Sequence, residues 1–263
     1  MIAPHQFDEL EQQGFTVLRG VVSDSLIARF EQQIAALVDA QTLALGITPV
    51  HPDPFVDMFS VGGEYTEQLY QLMERMSVLG QMADTIGQAA ERDGFFRHFG
   101  IEVPLVWPDI RADLPHATRL LPVHQDYKST RCRRVFRFWV PLRPSDELRG
   151  TICVWPGSHA NGAVPHEATG WKTPAIAPEL YEGLECVVFD IPAGDCVLFN
   201  SMLFHASVPN RSDATKFTLM VQIQDLASMS DPRDPSIGAL RDALTRRLAA
   251  TDYGAETLGA DIQ

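Results

Sequence analysis

Val197-Leu-Phe-Asn-Ser-Met-Leu-Phe-His205-Ala-Ser-Val-Pro209 is two short apolar runs split by Asn200-Ser201, with a single histidine seated in the second. Each run has the length and composition of a strand, and the polar break between them is turn chemistry. Outward from this stretch the same texture continues, with β runs near 99–107, 119–127, 133–142, 151–155, 185–190, 195–200, 203–208 and 215–225 separated by Pro, Gly and Asp. Eight short strands with such punctuation imply a sandwich, a barrel or a jelly roll.

The first 95 residues read differently, mainly as helix. Leu26, Phe30, Ile34 and Leu37 recur at helical spacing from Asp24 to Ala40, with Ser23 or Asp24 able to cap the start. Two more helices are expected over Tyr65–Arg75 and Val78–Ala90, and Phe15-Thr-Val-Leu18 is a short strand. His51-Pro-Asp-Pro54 and Ser60-Val-Gly-Gly63 are loop segments. A last helix, about Ser236 to Ala250, carries Ile237, Leu240, Leu244 and Leu248 on one side. A length of 263 residues suits one domain with peripheral helices, or two tightly packed small ones. The expected organisation is a mostly helical part over 1–95, a β core over 96–226, and a C-terminal helix and tail over 227–263.

The composition is 45% hydrophobic and 21% charged, ordinary for a globular enzyme. A net charge of −13 argues against a general nucleic-acid binder, which needs surplus Lys and Arg to neutralise phosphate, and against docking on anionic lipid. No apolar run is long enough to span a bilayer, and the opening residues lack the basic and apolar parts of a signal peptide. A cytoplasmic protein acting on a small molecule is expected. The four cysteines agree: Cys153, Cys186 and Cys196 lie in apolar runs, Cys132 in a basic stretch, and none forms a CxxC pair. Reduced, mostly buried thiols are the expectation.

His124-Gln-Asp126 is the chemical counterpart of His205. On an extended strand, residues i and i+2 face the same side, so the imidazole and the carboxylate can reach one ion. His51-Pro-Asp53 matches the same pattern, but its flanking prolines bar it from a central strand, leaving a loop or the turn into a helix. His205 lies 79 residues past Asp126 (205 − 126), far enough for strands to intervene and return it to the site. A lone histidine on an apolar strand is more often a satisfied core residue; the strand-borne His124/Asp126 pair shifts that balance. Two histidines and one carboxylate on one face of a metal leave open positions, the arrangement of non-haem iron(II) oxygenases. Downstream, Ser207 shares the face of His205, and Lys216 opens the last strand, where a cation can pair with the distal carboxylate of 2-oxoglutarate.

At these residues the chain resembles the phytanoyl-CoA dioxygenase family of iron(II)/2-oxoglutarate oxygenases. The likeness runs from Phe7-Asp-Glu-Leu-Glu-Gln-Gln-Gly-Phe-Thr-Val-Leu-Arg-Gly20 through His124-Gln-Asp126, Trp139-Val-Pro-Leu142 and Arg149-Gly-Thr-Ile-Cys-Val-Trp-Pro-Gly-Ser-His159 to His205-Ala-Ser-Val-Pro-Asn-Arg-Ser212. The resemblance implies a mainly β fold with flanking helices, a double-stranded β-helix of jelly-roll or cupin type with the N-terminal helices packed on one sheet. It implies Fe(II), 2-oxoglutarate and O2 as cofactor and co-substrates, with metal ligands His124, Asp126 and His205. Trp139 would flank the oxoglutarate and Ser207 would hydrogen-bond it. The family's distal-carboxylate arginine, eleven residues past the distal histidine, is replaced here by Lys216, which keeps the charge and loses the bidentate fork. Arg211 is the rival, in a segment that reads as a turn. His159, in Pro156-Gly-Ser-His159, is expected to serve a turn or lid, not the metal. Related halogenases leave the carboxylate position empty for chloride, so an intact Asp126 favours hydroxylation.

Arg131, Arg133, Arg134 and Arg137 crowd one stretch of an otherwise acidic chain. If Trp139 points inward, alternation sends Arg137 and Arg133 the same way and Phe136 and Phe138 toward the helices. Arg137, with Arg133, is a candidate for an anionic group of the primary substrate or of oxoglutarate; solvated edge-strand charge is the competing reading. The loops around 51–63 and 160–175 are expected to supply pocket walls. Two other function classes fit parts of the pattern. A cupin-like metal-dependent isomerase or hydrolase would release no succinate, and a non-catalytic barrel binding protein would show no turnover.

Overall fold

The structure, a computed structural model, describes residues 2–117, 121–127, 134–168 and 174–230. The chain begins with α1 (Pro4–Gln13), β1 (Phe15–Leu18), α2 (Asp24–Leu45), α3 (Pro54–Phe59), α4 (Glu64–Glu74), α5 (Ser77–Arg92) and α6 (Phe95–His98). Strands follow: β2 (Pro104–Asp113), β3 (Val135–Pro141), β4 (Ile152–Val154), β5 (His166–Glu167), β6 (Ala175–Ile176), β7 (Val187–Val188), β8 (Cys196–Asn200), β9 (His205–Ser207) and β10 (Lys216–Asp225). They form a major sheet of order β1-β8-β3-β10-β2, a minor sheet of order β7-β4-β9, and the hairpin β5-β6. The two sheets enclose a core without closing into a continuous barrel. This is the double-stranded β-helix.

Alternation along the major strands sorts the molecule into layers. Phe136, Phe138 and Val140 of β3, Cys196 and Leu198 of β8, and Phe217, Leu219, Val221 and Ile223 of β10 share one core with Phe30, Phe55, Met58, Leu79 and Met82 of the helices. Phe217 meets Phe30 and Phe55 nearly edge-on, at centroid distances of 5.4 and 5.0 Å, so aromatic geometry reinforces burial where helices meet sheet. The opposite faces of β3 and β8 turn Trp139, Val197 and Phe199 toward Ile152, Val154 and Phe189 of the second layer. Helices on one side and a cavity on the other follow from this period-2 pattern.

The helices expected from Asp24, Tyr65 and Val78 are present as α2, α4 and α5, and the Ser23 hydroxyl accepts from the Leu26 amide at the start of α2. His51-Pro-Asp-Pro54 is a helix entry: Asp53 is the N-cap of α3 and accepts from the Phe55 amide. The same carboxylate accepts from the Thr215 amide at 2.6 Å, one residue before Lys216. His51 pairs with Asp57 at 2.8 Å and takes no part in the cavity.

Several expectations are corrected. The strand read at 99–107 runs from 104 to 113, because α6 extends the helical part through His98. Within 121–127 there is no strand, only an isolated bridge between His124 and His205. The run at 185–190 shortens to Val187–Val188, and Cys186 is exposed where Cys153 and Cys196 are buried. The segment 51–63 lines no wall of the cavity; α3 instead packs Phe55 and Met58 into the helical core. Cys132, Arg131, Arg133 and the helix expected at 236–250 lie outside the described residues.

Candidate metal centre and its cavity

His205 sits on β9, whose strand neighbour β4 pairs Val154 with it. His124 is held against it by reciprocal backbone hydrogen bonds, His124 N–H to His205 O at 3.0 Å and His205 N–H to His124 O at 3.1 Å. A single bridge thus does what a full strand was expected to do. The rest of the 121–127 segment is held by further backbone bonds, Ser207 N–H to Leu121 O at 3.2 Å and Tyr127 N–H to Ser201 O at 3.1 Å, and by side chains. Gln125 is 1% exposed; its amide donates to Gly162 O at 2.8 Å and Met202 O at 2.6 Å, and its carbonyl accepts from the Val164 amide at 3.0 Å. The Gln125 amide donates to His166 Nε2 at 3.0 Å, and Ile176 N–H donates to Val123 O at 2.8 Å. The β5–β6 hairpin is therefore the outer clamp of the segment that presents His124 and Asp126.

The ligand atoms of His124, Asp126 and His205 all lie within 4.8 Å of one another. Asp126 Oδ1 is 3.6 Å from His124 Nε2 and 3.8 Å from His205 Nε2. Adjacent ligands of an ion bound at about 2.1 Å stand about 3 Å apart, so small side-chain adjustments suffice for one ion to meet all three. Protonation favours binding too. His124 Nδ1 donates to Pro122 O at 2.7 Å and His205 Nδ1 to Leu203 O at 2.9 Å, because a carbonyl can only accept. Both Nε2 lone pairs are left facing Asp126. Burial, aided by His124, pushes the His205 imidazole down to about 4, so it is neutral at pH 7. Burial alone would raise the Asp126 carboxyl, but the Arg137 guanidinium, His205 and His124 hold it well below the usual range. Two imidazoles presenting Nε2 and one carboxylate are a donor set suited to a divalent first-row metal.

The cavity around this cluster measures about 390 Å³, at the small end for small-molecule sites. Trp139, Ser207 and Lys216 line it, together with Arg137. Lys216 is 4% exposed; its Nζ lies 2.8 Å from Asp113 Oδ2 and 5.2 Å from the Trp139 ring centre. Burial pulls the Lys216 ammonium down while Asp113 opposes the shift. Burial would raise Asp113, but Arg111 and Lys216 keep it below its ordinary value. Arg211 is absent from the lining; its amide donates to Leu148 O in a turn. Arg137 points inward as alternation requires, and its Nε lies 2.7 Å from Asp126 Oδ2. His159 hydrogen-bonds Glu11 O at 3.0 Å and stands outside the lining. Its ring rests on Gly14, whose left-handed φ of +82° ends α1 and where an added Cβ would come within 2.6 Å of His159 Nδ1.

Sequence reasoning missed Gln125, Thr151 and the inward face of β2, where Asp109, Arg111 and Asp113 line the cavity while Ile110 and Ala112 face the helices. The signal was present as Asp-Ile-Arg-Ala-Asp, a strict polar/apolar alternation. Thr151 is 2% exposed, and its hydroxyl has no hydrogen-bond partner among the described residues.

Fold and site together define a double-stranded β-helix protein with a two-histidine, one-carboxylate cluster between its sheets. The chain belongs to the phytanoyl-CoA dioxygenase (PhyH) family, whose model matches residues 10–218. It is 32% identical over 101 residues to 1-deoxypentalenic acid 11-beta-hydroxylase of Streptomyces arenae, a match covering 35% of this chain and 36% of that protein. It is 23% identical over 228 residues to the peroxisomal phytanoyl-CoA dioxygenase of Rattus norvegicus, covering 77% of this chain and 62% of that protein. The chain thus spans about a third to three-fifths of the length of these curated relatives. Among solved structures it is similar to EvdO2 from Micromonospora carbonacea var. aurantiaca, solved with 2-oxoglutarate, at a TM-score of 0.60 and 16% identity, covering 89% of this chain and 95% of that one. It is also similar to EctD from S. alaskensis, solved with 2-oxoglutarate and 5-hydroxyectoine, at 0.58 and 17%, covering 86% and 77%. These likenesses are likenesses of fold. No helix among the described residues is long and apolar enough to cross a membrane.

Proposed function

We propose that the protein is a non-haem Fe(II)- and 2-oxoglutarate-dependent oxygenase that hydroxylates an unactivated C–H bond of a small metabolite or biosynthetic intermediate. The observation that carries this reading is the convergence of His124, Asp126 and His205 on one point of a cavity that Lys216, Ser207 and Trp139 also line. Residues 1–263 form a single oxygenase domain under this reading, supported by the core that the helices share with the major sheet.

Bound iron, with oxoglutarate and O2, supplies the oxidising power for C–H cleavage, with succinate and CO2 as co-products. The chain's own residues bind and orient. His124 and His205 donate Nε2, their rings fixed by Nδ1–H bonds to backbone carbonyls. Asp126 donates a carboxylate that Arg137 keeps ionised and aimed. Lys216 holds the distal carboxylate of oxoglutarate, Ser207 and the partnerless Thr151 hydroxyl offer it hydrogen bonds, and Trp139 forms the apolar wall beside it. Lys216 is preferred to Arg211 because it is buried in the cavity wall, whereas Arg211 stands in a turn outside the lining.

The test is anaerobic. Fe(II) and oxoglutarate added together should give the weak visible absorption of their chelate at one equivalent of iron. His205→Ala should abolish both the band and iron binding. Admission of O2 with a cognate substrate should then release succinate in step with product; turnover without succinate would overturn the proposal.

A further inference from the structure

Apart from histidines, the charged side chains lining the cavity are Asp109, Arg111, Asp113, Asp126, Arg137 and Lys216. Five of them are engaged. Arg111 and Lys216 share Asp113 at 2.7 and 2.8 Å, and Arg137 holds Asp126 at 2.7 Å. Asp109 is the exception: half-buried on β2, it makes no ion pair with any described residue, and the described donor that reaches it is the backbone amide of Ile110.

Its place in the sheet gives this a direction. On the cavity face, Asp109 of β2 stands opposite Met220 of β10, which stands opposite Trp139 of β3. One row along, toward the metal ligands, come Trp107, Gln222, Arg137 and Phe199. Phe199 lies 4.8 Å, ring to ring, from His205. Asp109 is thus two strand spacings, about 10 Å, from the β3 row that underlies the metal cluster, with Met220 as an apolar floor between them. A small molecule lying across Met220 would have one end at Asp109 and its carbon skeleton toward the metal.

The charges in the wall cancel, and Fe(II) with dianionic oxoglutarate adds no net charge. An anionic substrate would find Lys216 taken by oxoglutarate and Arg111 and Arg137 already paired with Asp113 and Asp126, whereas a hydrogen-bond donor would find a carboxylate waiting. We propose that Asp109 is the polar anchor of the primary substrate and that this substrate presents to it a hydrogen-bond-donating head, an ammonium or a hydroxyl, rather than a carboxylate or phosphate. This rests on the oxygenase reading above. Burial lifts the Asp109 carboxyl above its ordinary range despite Arg137 nearby, as expected of an acid still lacking a close partner.

The test uses the enzyme loaded anaerobically with Fe(II) and oxoglutarate, and three probes that share a ring and differ in head: cyclohexylamine, cyclohexanol and cyclohexanecarboxylate. Binding is read from perturbation of the chelate band. The amine or the alcohol should bind at least tenfold more tightly than the carboxylate, and the better of the two identifies the head. Asp109→Asn should weaken the amine about tenfold, and Asp109→Leu should weaken both donors, with oxoglutarate affinity within twofold of wild type in each variant. A preference for the carboxylate, donor affinities indifferent to both substitutions, or no response to any probe would overturn the proposal. Failure of the chelate band to form before any probe is added would instead overturn the oxygenase reading.

Discussion

His124 and His205 commit their Nδ1 protons to backbone carbonyls, and that makes the cluster a ligand set and not a buried ion-pair network. Lys216 poses the sharper question, because its ammonium already belongs to Asp113. Oxoglutarate must share that charge, and Arg111, bound to the same carboxylate at 2.7 Å, lets Asp113 remain compensated when it does. Lys216→Ala should therefore raise the dissociation constant of oxoglutarate at least tenfold, measured by anaerobic titration of the chelate band, while Arg211→Ala leaves it unchanged. Thr151→Val keeps shape and removes the partnerless hydroxyl; it should weaken oxoglutarate several-fold with no loss of fold stability. At this scale the sequence was informative for residues that sit in a recognisable pattern, namely His124, Asp126, His205, Ser207 and Lys216. It was silent on Gln125, whose neighbours Gly162, Val164 and Met202 are brought to it only by folding. It hid Asp109, Arg111 and Asp113 behind a strand placed five residues too early.

The 121–127 segment teaches a different lesson at the level of elements. Period-2 reasoning put His124 and Asp126 on one face of a strand, and their convergence is real, but the cause is a bridge plus a buried amide. Leu-Leu-Pro-Val before His124 looks like strand composition, yet Pro122 has no N–H to give a ladder, and its carbonyl is used by His124 instead. Gln125→Ala should consequently lower iron affinity about 10- to 100-fold although Gln125 lies behind the ligands, as loss of outer-shell support does elsewhere. Iron titration by competition with a chelator checks this, and unchanged affinity would show that the backbone bonds of the segment suffice. The strands β3, β8 and β10 were legible because both of their faces are patterned. Those of the minor sheet are two or three residues long, too short for periodicity to declare.

At the scale of the whole molecule, one shared core joins the helices to the major sheet, so stability should be read as a single transition over the described residues. Phe217→Ala, which empties the contact with Phe30 and Phe55, should cost about 3–5 kcal/mol in urea denaturation. Acid should act through buried carboxylates. Burial would raise Asp225, but the amides of Val103 and Ala227 and the Arg134 guanidinium lower it; burial would raise Asp57, but His51 and the Val50 amide lower it. Folded values below the unfolded one give stability that is fully present above about pH 5, where the unfolded carboxylates are ionised, and is lost as pH falls through the folded values. Asp225→Asn should cost about 2 kcal/mol at pH 7 and should flatten the decline in stability between about pH 5 and about pH 3. The division into a helical and a β part was legible from texture alone; which way each strand face turned needed the pairing partners.

Asp53 was set aside as a ligand, yet it grips the peptide just ahead of Lys216. Arg143 holds the other end of the same residue, donating to Thr215 O. A mutational survey scored on turnover would therefore register hits at Asp53 and Arg143, in a region remote from the chemistry, and a naive reader would draw a second catalytic centre there. The correct diagnosis is posture: these two side chains decide where the ammonium of the next residue stands, and their loss would surface as poor oxoglutarate retention with iron uptake intact.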